Sequence, residues 1–166
     1  HDGGKNRACK KGFQQGKSYL WVKIPELASN SCIWAYWGNP NDTNLSACTT
    51  NGTTWSEGYA GVWHLSETVT DETTNGLYAD SASNHNVGLQ FSTGAGTGMA
   101  GPCAAFDGDD YISVTNESAY DFNDVVTVSA WLKVDGGWST VWQMFITKGS
   151  DQNWDLRRVG ASEQIS

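Results

Sequence analysis

The feature that most constrains the fold is a succession of short apolar runs separated by clusters of Gly, Asp and Asn. The clearest run covers residues 125–134, where Val126, Val128, Ala130, Leu132 and Val134 alternate with mostly polar residues. Such alternation places the two sets of side chains on opposite faces of a β-strand. Apolar residues never keep the spacing of an amphipathic helix over ten or more positions. The sequence therefore predicts an all-β fold, built as an antiparallel β-sandwich.

Composition along the chain predicts three segments. Residues 1–17 are rich in Gly and Lys with little periodicity, and we interpret them as an arm or the remnant of a preceding element. Residues 18–58 hold two strand-like runs, 19–25 and 32–38, that predict a β-hairpin, followed by a loop rich in turn formers. Residues 59–166 contain the remaining predicted strands, at 61–65, 87–91, 104–106, 111–114, 125–134, 143–147 and 154–159.

The charge balance narrows the choice of partner. The chain has 10 Lys and Arg against 18 Asp and Glu, a formal charge of -8, and no basic stripe. Nucleic acid is not an expected partner, because neutralising phosphates requires clustered basic side chains. We also expect no membrane span, since no apolar run approaches the ~20 residues that a membrane helix needs. The chain begins at His1 without a signal-like stretch, which is typical of a processed mature protein or a fragment.

The cysteines indicate an oxidising compartment. Four are present, at Cys9, Cys32, Cys48 and Cys103. They contain no C-x-x-C pair and have no matching His pair, which argues against zinc and favours disulfides. Three pairings are possible, and we favour Cys32 with Cys48, leaving Cys9 with Cys103. The alternative is four free thiols in a cytosolic protein. Four Asn-x-Ser/Thr sites, which would carry sugar in a eukaryotic secretory protein, begin at Asn41, Asn44, Asn51 and Asn116.

Four ordered motifs resemble one superfamily. They are Gly61-Val-Trp-His-Leu65, Asp80-Ser-Ala-Ser-Asn-His-Asn86, Phe106-Asp-Gly-Asp-Asp-Tyr-Ile112 and Val126-Thr-Val-Ser-Ala-Trp-Leu132. Together they look like the concanavalin A-like lectin/glucanase superfamily in its laminin-G-like form, a jelly roll. The block from Leu20-Trp-Val-Lys-Ile-Pro25 to Tyr36-Trp-Gly-Asn-Pro40 is similar to the C-terminal part of the bacterial domain of unknown function 2341, which often precedes such a jelly roll. The resemblance implies an extracellular or cell-surface location in a larger bacterial protein.

The resemblance also predicts that the jelly roll is incomplete within this chain. A laminin-G-like jelly roll normally has more strands than fit between residues 59 and 166. The missing strands would come from residues that follow 166 or from a neighbouring chain that pairs with an open sheet edge.

Oxygen-bearing side chains in two turns suggest calcium as a cofactor. The candidate ligands are Asp80, Asn84, Asn86, Asp107, Asp109 and Asp110. Calcium prefers several carboxylate, amide and carbonyl oxygens, and relatives often bind it near these turns. The alternative is that the Asp80 segment is an Asx turn that bonds to its own backbone.

The nine tryptophans suggest where a polysaccharide or glycoconjugate would bind, since an indole offers a flat apolar face and a polar edge. We expect five to be buried within strands, namely Trp21, Trp34, Trp37, Trp63 and Trp131. The candidates for glycan binding are Trp138, Trp142 and Trp154, with a structural role in covering the sandwich edge as the alternative.

Catalysis is not expected. Glycoside hydrolysis needs two carboxylates aimed at one bond, and the nearest acidic groups lie in turn-like sequence, at Glu67, Asp71 and Glu72 and at Asp107, Asp109 and Asp110. His64 is predicted to be a packed strand residue, because no nucleophile motif accompanies it. The leading hypothesis is a non-catalytic glycan-binding or adhesion module. The alternative is a structural subunit of an extracellular assembly that self-associates by strand exchange, and glycoside hydrolysis is the third hypothesis.

Overall fold

The computed structural model describes residues 9–14, 17–37, 39, 41, 43, 46–69, 76–137, 142–149 and 153–166. The chain divides into two compact units, residues 1–115 and 116–166. Within the described residues, regular structure consists of small antiparallel sheets and short 3-10 helices, with no α-helix. The predicted all-β class is therefore confirmed, whereas the sandwich and the jelly roll stay predictions. None of the described helices is long and apolar enough to cross a membrane.

The first unit contains two hairpins and a three-stranded sheet. Strand β1 (Cys9–Gln14) pairs with β2 (Lys17–Trp21), and β5 (Gly94–Gly98) pairs with β6 (Gly101–Ala105). The sheet has the order β3 (Leu77–Tyr78), β4 (Gly88–Phe91) and β7 (Tyr111–Val114). Two 3-10 helices, Ala47–Thr49 and Thr53–Trp55, lie in the segment between β2 and β3.

The buried face of the three-stranded sheet contains polar groups. Gly88 and Gln90 are the buried residues of β4, while Phe91 stacks on its β7 partner Tyr111 with ring centroids 4.3 Å apart. Gln90 is fully buried because its side-chain oxygen accepts hydrogen bonds from the backbone N–H and the hydroxyl of Thr93, each at 2.8 Å. The hydroxyl of Tyr78 lies 3.0 Å from the same Thr93 oxygen. This network satisfies the buried polar groups that would otherwise destabilise the sheet.

Trp63 joins the sheet to the turn that follows β3. It forms an isolated β-bridge with Asp80, and its indole N–H donates to the carbonyl of Asn86 at 2.9 Å. Its ring occupies the space where a Cβ at Gly61 would stand, since that position is 2.2 Å from the ring. A side chain at Gly61 would therefore displace the indole.

The second unit contains the hairpin of β8 (Met144–Thr147) and β9 (Asp155–Arg157) and the 3-10 helix Glu117–Tyr120. Lys148 follows β8, is 8% exposed, and pairs with the carboxylates of Glu117 (2.7 Å) and Asp121. The indole N–H of Trp154 donates to the carbonyl of Tyr120 at 3.1 Å. These contacts hold the 3-10 helix against the hairpin.

The structure corrects several predicted elements. Residues 9–14, predicted to belong to an arm or to the remnant of a preceding element, form β1, so the N-terminal hairpin joins β1 to β2 and not 19–25 to 32–38. Residues 32–37 and 125–134 are not strands, because no neighbouring strand hydrogen-bonds to them among the described residues. The predicted strand at 61–65 is reduced to the bridge at Trp63.

The other predicted strands overlap observed ones. The runs 87–91, 104–106, 143–147 and 154–159 overlap β4, β6, β8 and β9, and 111–114 coincides with β7. The predicted domain boundaries at residues 17 and 58 stay predictions.

Candidate functional site

Four rings of the first unit form an aromatic cluster, which consists of Trp21, Trp55, Tyr59 and His64. Trp21 stacks on His64 with centroids 5.2 Å apart and an angle of 18° between the rings. Trp55 contacts Trp21 at 5.4 Å, His64 at 5.7 Å and Tyr59 at 5.3 Å. Trp21 and Tyr59 are 39% and 52% exposed. Two exposed rings therefore contact the half-buried Trp55.

Local structure explains how these rings meet. Trp21 is the last residue of β2, and Trp55 is the last residue of the second 3-10 helix. The chain then reverses through Glu57 and Gly58, whose φ angles of 74° and 91° are left-handed. Leu65, directly after His64, also has a positive φ of 53°. Left-handed backbone at non-glycine residues is costly and often marks sites where geometry matters more than local stability.

An ion pair lies beside the aromatic cluster. The ammonium of Lys23 is 2.7 Å from a carboxylate oxygen of Glu57 and contacts the hydroxyl of Ser56. The Glu57 side chain is 78% exposed, so its carboxylate can accept hydrogen bonds from a ligand. The site combines flat apolar faces with a donor and an acceptor at its edge. This combination suits the C–H face and the hydroxyl groups of a sugar.

Sequence reasoning missed this cluster. Trp21, Trp34, Trp37 and Trp131 were expected to be buried in strands, but the structure leaves the last three 75%, 86% and 81% exposed. Trp63 is half-buried. The expectation was wrong because no described strand pairs with the segments that carry Trp34, Trp37 and Trp131. The signal that could have found the cluster is the concentration of aromatics around the turn formers at 55–64.

The predicted glycan-binding tryptophans do not form one site within the described residues. Trp138 lies outside them. Trp142 is 53% exposed and its ring lies 5.2 Å below the guanidinium of Arg157, a cation–π contact. Trp154 packs near Phe122 and donates to the Tyr120 carbonyl, so its indole N–H is already used.

The side-chain carboxylate of Asp80 organises its turn by accepting hydrogen bonds from backbone N–H groups. One carboxylate oxygen of Asp80 accepts from the N–H groups of Val62 and Ala82, each at 2.8 Å, and the other accepts from Asn86 at 2.9 Å. The Ala82 bond makes this an Asx turn. The amide of Asn84 donates to the carbonyl of Ala60 at 3.2 Å. Asp80 is 5% exposed, which fits a carboxylate that organises backbone.

Three of the six predicted calcium ligands come together. Asp107, Asp109 and Asp110 place one oxygen each within 4.8 Å of one another, and among the described residues no other group of three acidic, His or Cys side chains does so. One oxygen of Asp110 accepts from the Asp107 N–H at 2.9 Å. A shallow cavity of about 100 Å³ adjoins Asp107 and Asp110. Ligand pockets usually enclose ~300 Å³ or more, so this cavity suits an ion or water better than a sugar.

These three carboxylates match calcium in chemical type. Calcium takes about six to eight oxygens, so backbone carbonyls and water would have to complete the shell.

The favoured disulfide pairing is wrong. Cys32 and Cys103 have free thiols, so neither Cys32 with Cys48 nor Cys9 with Cys103 is bonded. Cys48 is disulfide-bonded. The side chain of Cys9 lies outside the described residues. Cys32 is exposed, and its segment belongs to no sheet among the described residues.

Glu67, one of the acidic residues considered for hydrolysis, makes a hydrogen bond to the backbone. It accepts from the Ala79 N–H at 3.1 Å, and Asp71 and Glu72 lie outside the described residues.

We compared the chain with protein-family profiles, with curated proteins and with solved structures, and found no match in any of the three comparisons.

Proposed function

We propose that this chain is a non-catalytic, extracellular glycan-binding module of a larger bacterial surface or secreted protein, with a laminin-G-like jelly roll as its fold. The observation that supports it best is the aromatic cluster, in which the exposed rings of Trp21 and Tyr59 both contact Trp55. The ring faces would stack on the C–H face of pyranose units, and Glu57 and Lys23 would bond their hydroxyls.

The rigidity of the cluster favours this function over a passive surface patch. Trp55 touches three other rings, so the exposed rings are held in place before a ligand arrives. Preorganised groups lose less conformational entropy on binding than mobile ones. Rings that were exposed singly would provide no such advantage.

Calcium is proposed as an accompanying ion at Asp107, Asp109 and Asp110. Three carboxylates close together repel one another, and a divalent cation relieves that repulsion. The ion would stabilise the turn that precedes β7. The substitution Asp109→Asn tests it through the gain in thermal stability on adding Ca²⁺.

Isothermal titration with soluble neutral polysaccharides, such as β-glucans and xylan, tests glycan binding. We expect Trp21→Ala to weaken the affinity by about tenfold or more, equivalent to ~1.4 kcal/mol, because a stacking face is removed. Trp142→Ala is the control, since it removes an indole that is at least as exposed from the second unit. Equal weakening by both variants, or no binding by any neutral polysaccharide in the panel, would refute the proposal.

A second candidate function is a structural subunit that associates through strand exchange. The observation in its favour is residues 125–134, which have a strand-like sequence and belong to no sheet among the described residues. Five of their large apolar side chains are exposed, at Val125, Val126, Trp131, Leu132 and Val134. Light scattering over a range of protein concentrations tests it, and a strict monomer would contradict it.

A further inference from the structure

A carboxylate is tied to both of the segments that carry the aromatic cluster. Glu57 is two residues after Trp55 and two residues before Tyr59. One of its carboxylate oxygens is 2.7 Å from the ammonium of Lys23, which follows Trp21 by two residues. The ion pair therefore joins the segments that supply the rings, and it holds a negative charge beside them.

This carboxylate is accessible to a ligand. The Glu57 side chain is 78% exposed. Apart from its chain neighbours, no described atom lies within 4 Å of the place where a Cβ at Gly58 would stand, so the turn beside Glu57 is open. Exposed ion pairs are weak, and an ionised carboxylate accepts several hydrogen bonds. Glu57 can therefore bind a second ammonium group while it keeps Lys23.

Aromatic rings beside a carboxylate suit a cation as well as a sugar. The face of an aromatic ring attracts an ammonium group that lies within about 6 Å of the ring centroid. The exposed rings of Trp21 and Tyr59 are inclined to the ring of Trp55 by 56° and 76°, so the cluster has ring faces in several directions. A protonated amine on a stacked sugar would find both ring faces and a carboxylate there.

The charge of the whole chain favours the same type of ligand. With 18 acidic residues against 10 basic ones, the formal net charge is -8. A field of this sign attracts polycations at long range and repels polyanions, whereas an uncharged polysaccharide gains nothing from it.

We propose that the aromatic cluster binds polysaccharides whose sugars carry free, protonated amino groups. The C–H faces of the sugars stack on the rings, and one ammonium group bonds to Glu57. The inference rests on the proposed function and narrows its ligand to amino sugars. Acetylation of the amines removes their charge, so the acetylated form of the same polysaccharide is the weaker ligand.

Isothermal titration with two glucosamine hexasaccharides of identical backbone tests this proposal. One has free amines and the other is fully N-acetylated, and the pH is one at which the free amines are protonated. At physiological ionic strength the Debye length is about 8 Å, so most of the long-range field is screened. We expect the free-amine hexasaccharide to bind the full chain about fivefold more tightly, which corresponds to one cation–π contact at an exposed site.

The outcomes separate this proposal from glycan binding in general. Equal affinities for the two hexasaccharides overturn the assignment to amino sugars and retain glycan binding. Binding of xylan but of neither hexasaccharide does the same. Binding of no polysaccharide at all overturns both proposals.

A pair of charge-removing variants tests the site. Asp135 is the matched control for Glu57, because its side chain is 79% exposed, it pairs with Lys133 at 2.6 Å, and it belongs to the second unit. We expect the ratio of the two affinities to fall below about twofold in Glu57→Gln, since a charge-assisted hydrogen bond is lost, and to stay near fivefold in Asp135→Asn. Equal falls in both variants would attribute the preference to net charge and overturn the site.

Hexalysine distinguishes amino sugars from cationic peptides. It carries ammonium groups without sugar rings, so it cannot stack on the aromatic faces and should bind more weakly than the free-amine hexasaccharide. Binding of hexalysine that is as tight or tighter would overturn the assignment to amino sugars and would indicate a cationic peptide as the ligand.

Discussion

In the first unit, individual buried polar residues fix the local structure more than buried apolar residues do. Within the described residues the buried apolar side chains are Val69, Tyr78 and Ala82, whereas buried polar ones include Asp80, Gln90 and Thr93. Asp80 alone receives three backbone N–H groups from two segments. Charged acceptors form stronger hydrogen bonds than neutral ones, so this carboxylate fixes the turn around it.

Replacing Asp80 should therefore destabilise the fold. Asp80→Asn keeps the size but points an N–H₂ group at one of the three donors, and we expect a loss of about 2–3 kcal/mol in the free energy of unfolding. Urea denaturation in the presence of EGTA measures it. Asp109→Asn, on an exposed turn, should change that free energy by less than about 0.5 kcal/mol.

Adding Ca²⁺ further distinguishes the role of Asp80 from that of Asp109. Calcium should raise the melting temperature of the wild type and of Asp80→Asn but not that of Asp109→Asn, because only Asp109 belongs to the proposed ion site. An equal rise in all three proteins would contradict the site.

At the scale of elements, predicted strands overlap β2, β4, β6, β7, β8 and β9, whereas β1, β3 and β5 were missed. The strand at 111–114 matches β7 because its partner β4 supplies a complete ladder. The strand at 125–134 has the best alternation in the chain and still forms no ladder with a described strand, because alternation specifies a face and not a neighbour. Strand β5 was missed since its sequence, Gly-Ala-Gly-Thr-Gly, has neither apolar nor β-branched character apart from Thr97.

The aromatic cluster also could not be predicted from the sequence pattern. Its tryptophans were visible in the sequence, but their mutual contacts join residues 21, 55, 59 and 64 through a turn with left-handed backbone. Such contacts depend on tertiary packing, which periodicity does not encode. The carboxylates at 107–110 were predicted because they share one turn, so no long-range contact was needed.

The buried link between β3 and the Thr93 turn predicts a loss of stability in alkali. Burial raises the pKa of the Tyr78 phenol above its ordinary value of 10.0, and the Glu67 charge adds to this effect, which outweighs the opposing Thr93 hydrogen bond. The neutral phenol is therefore favoured in the folded state. Its contribution is complete below pH ~10 and is lost as the pH rises through the folded pKa, because the unfolded chain releases its proton first.

Tyr78→Phe isolates this contribution. At neutral pH it should cost about 1 kcal/mol, since it deletes one buried hydrogen bond. Between about pH 9 and 11, the range around the ordinary tyrosine pKa, its urea midpoint should fall less than that of the wild type. The pKa of Lys148 is also raised, by hydrogen bonds to Asp121 and Glu117, but both proteins share that group. Parallel curves for the two proteins would contradict the role of Tyr78.

At the scale of the whole molecule, the negative charge restricts which glycans can bind. A net charge of -8 repels polyanions at long range, whereas stacking on a neutral pyranose is short-range and independent of charge. Among polysaccharides that offer similar sugar faces, neutral ones should therefore bind more tightly.

Affinity electrophoresis with a neutral xylan and with polygalacturonate checks this expectation. Xylan binding should stay constant between low and moderate salt, while polygalacturonate should bind weakly at low salt and improve as salt screens the repulsion. Tighter binding of polygalacturonate at low salt would show that local cations at the site outweigh the net charge.

The β5–β6 hairpin contains a natural probe of its own motion. Gly96 and Gly98 of β5 face Cys103 of β6 so closely that a Cβ at either glycine would lie within about 3 Å of the cysteine side chain. This half-buried thiol is sheltered by bare backbone, while the thiol of Cys32 is open to solvent. The ratio of their alkylation rates therefore reports how often the hairpin opens, with Cys32 as the internal reference. No substitution is required for this measurement.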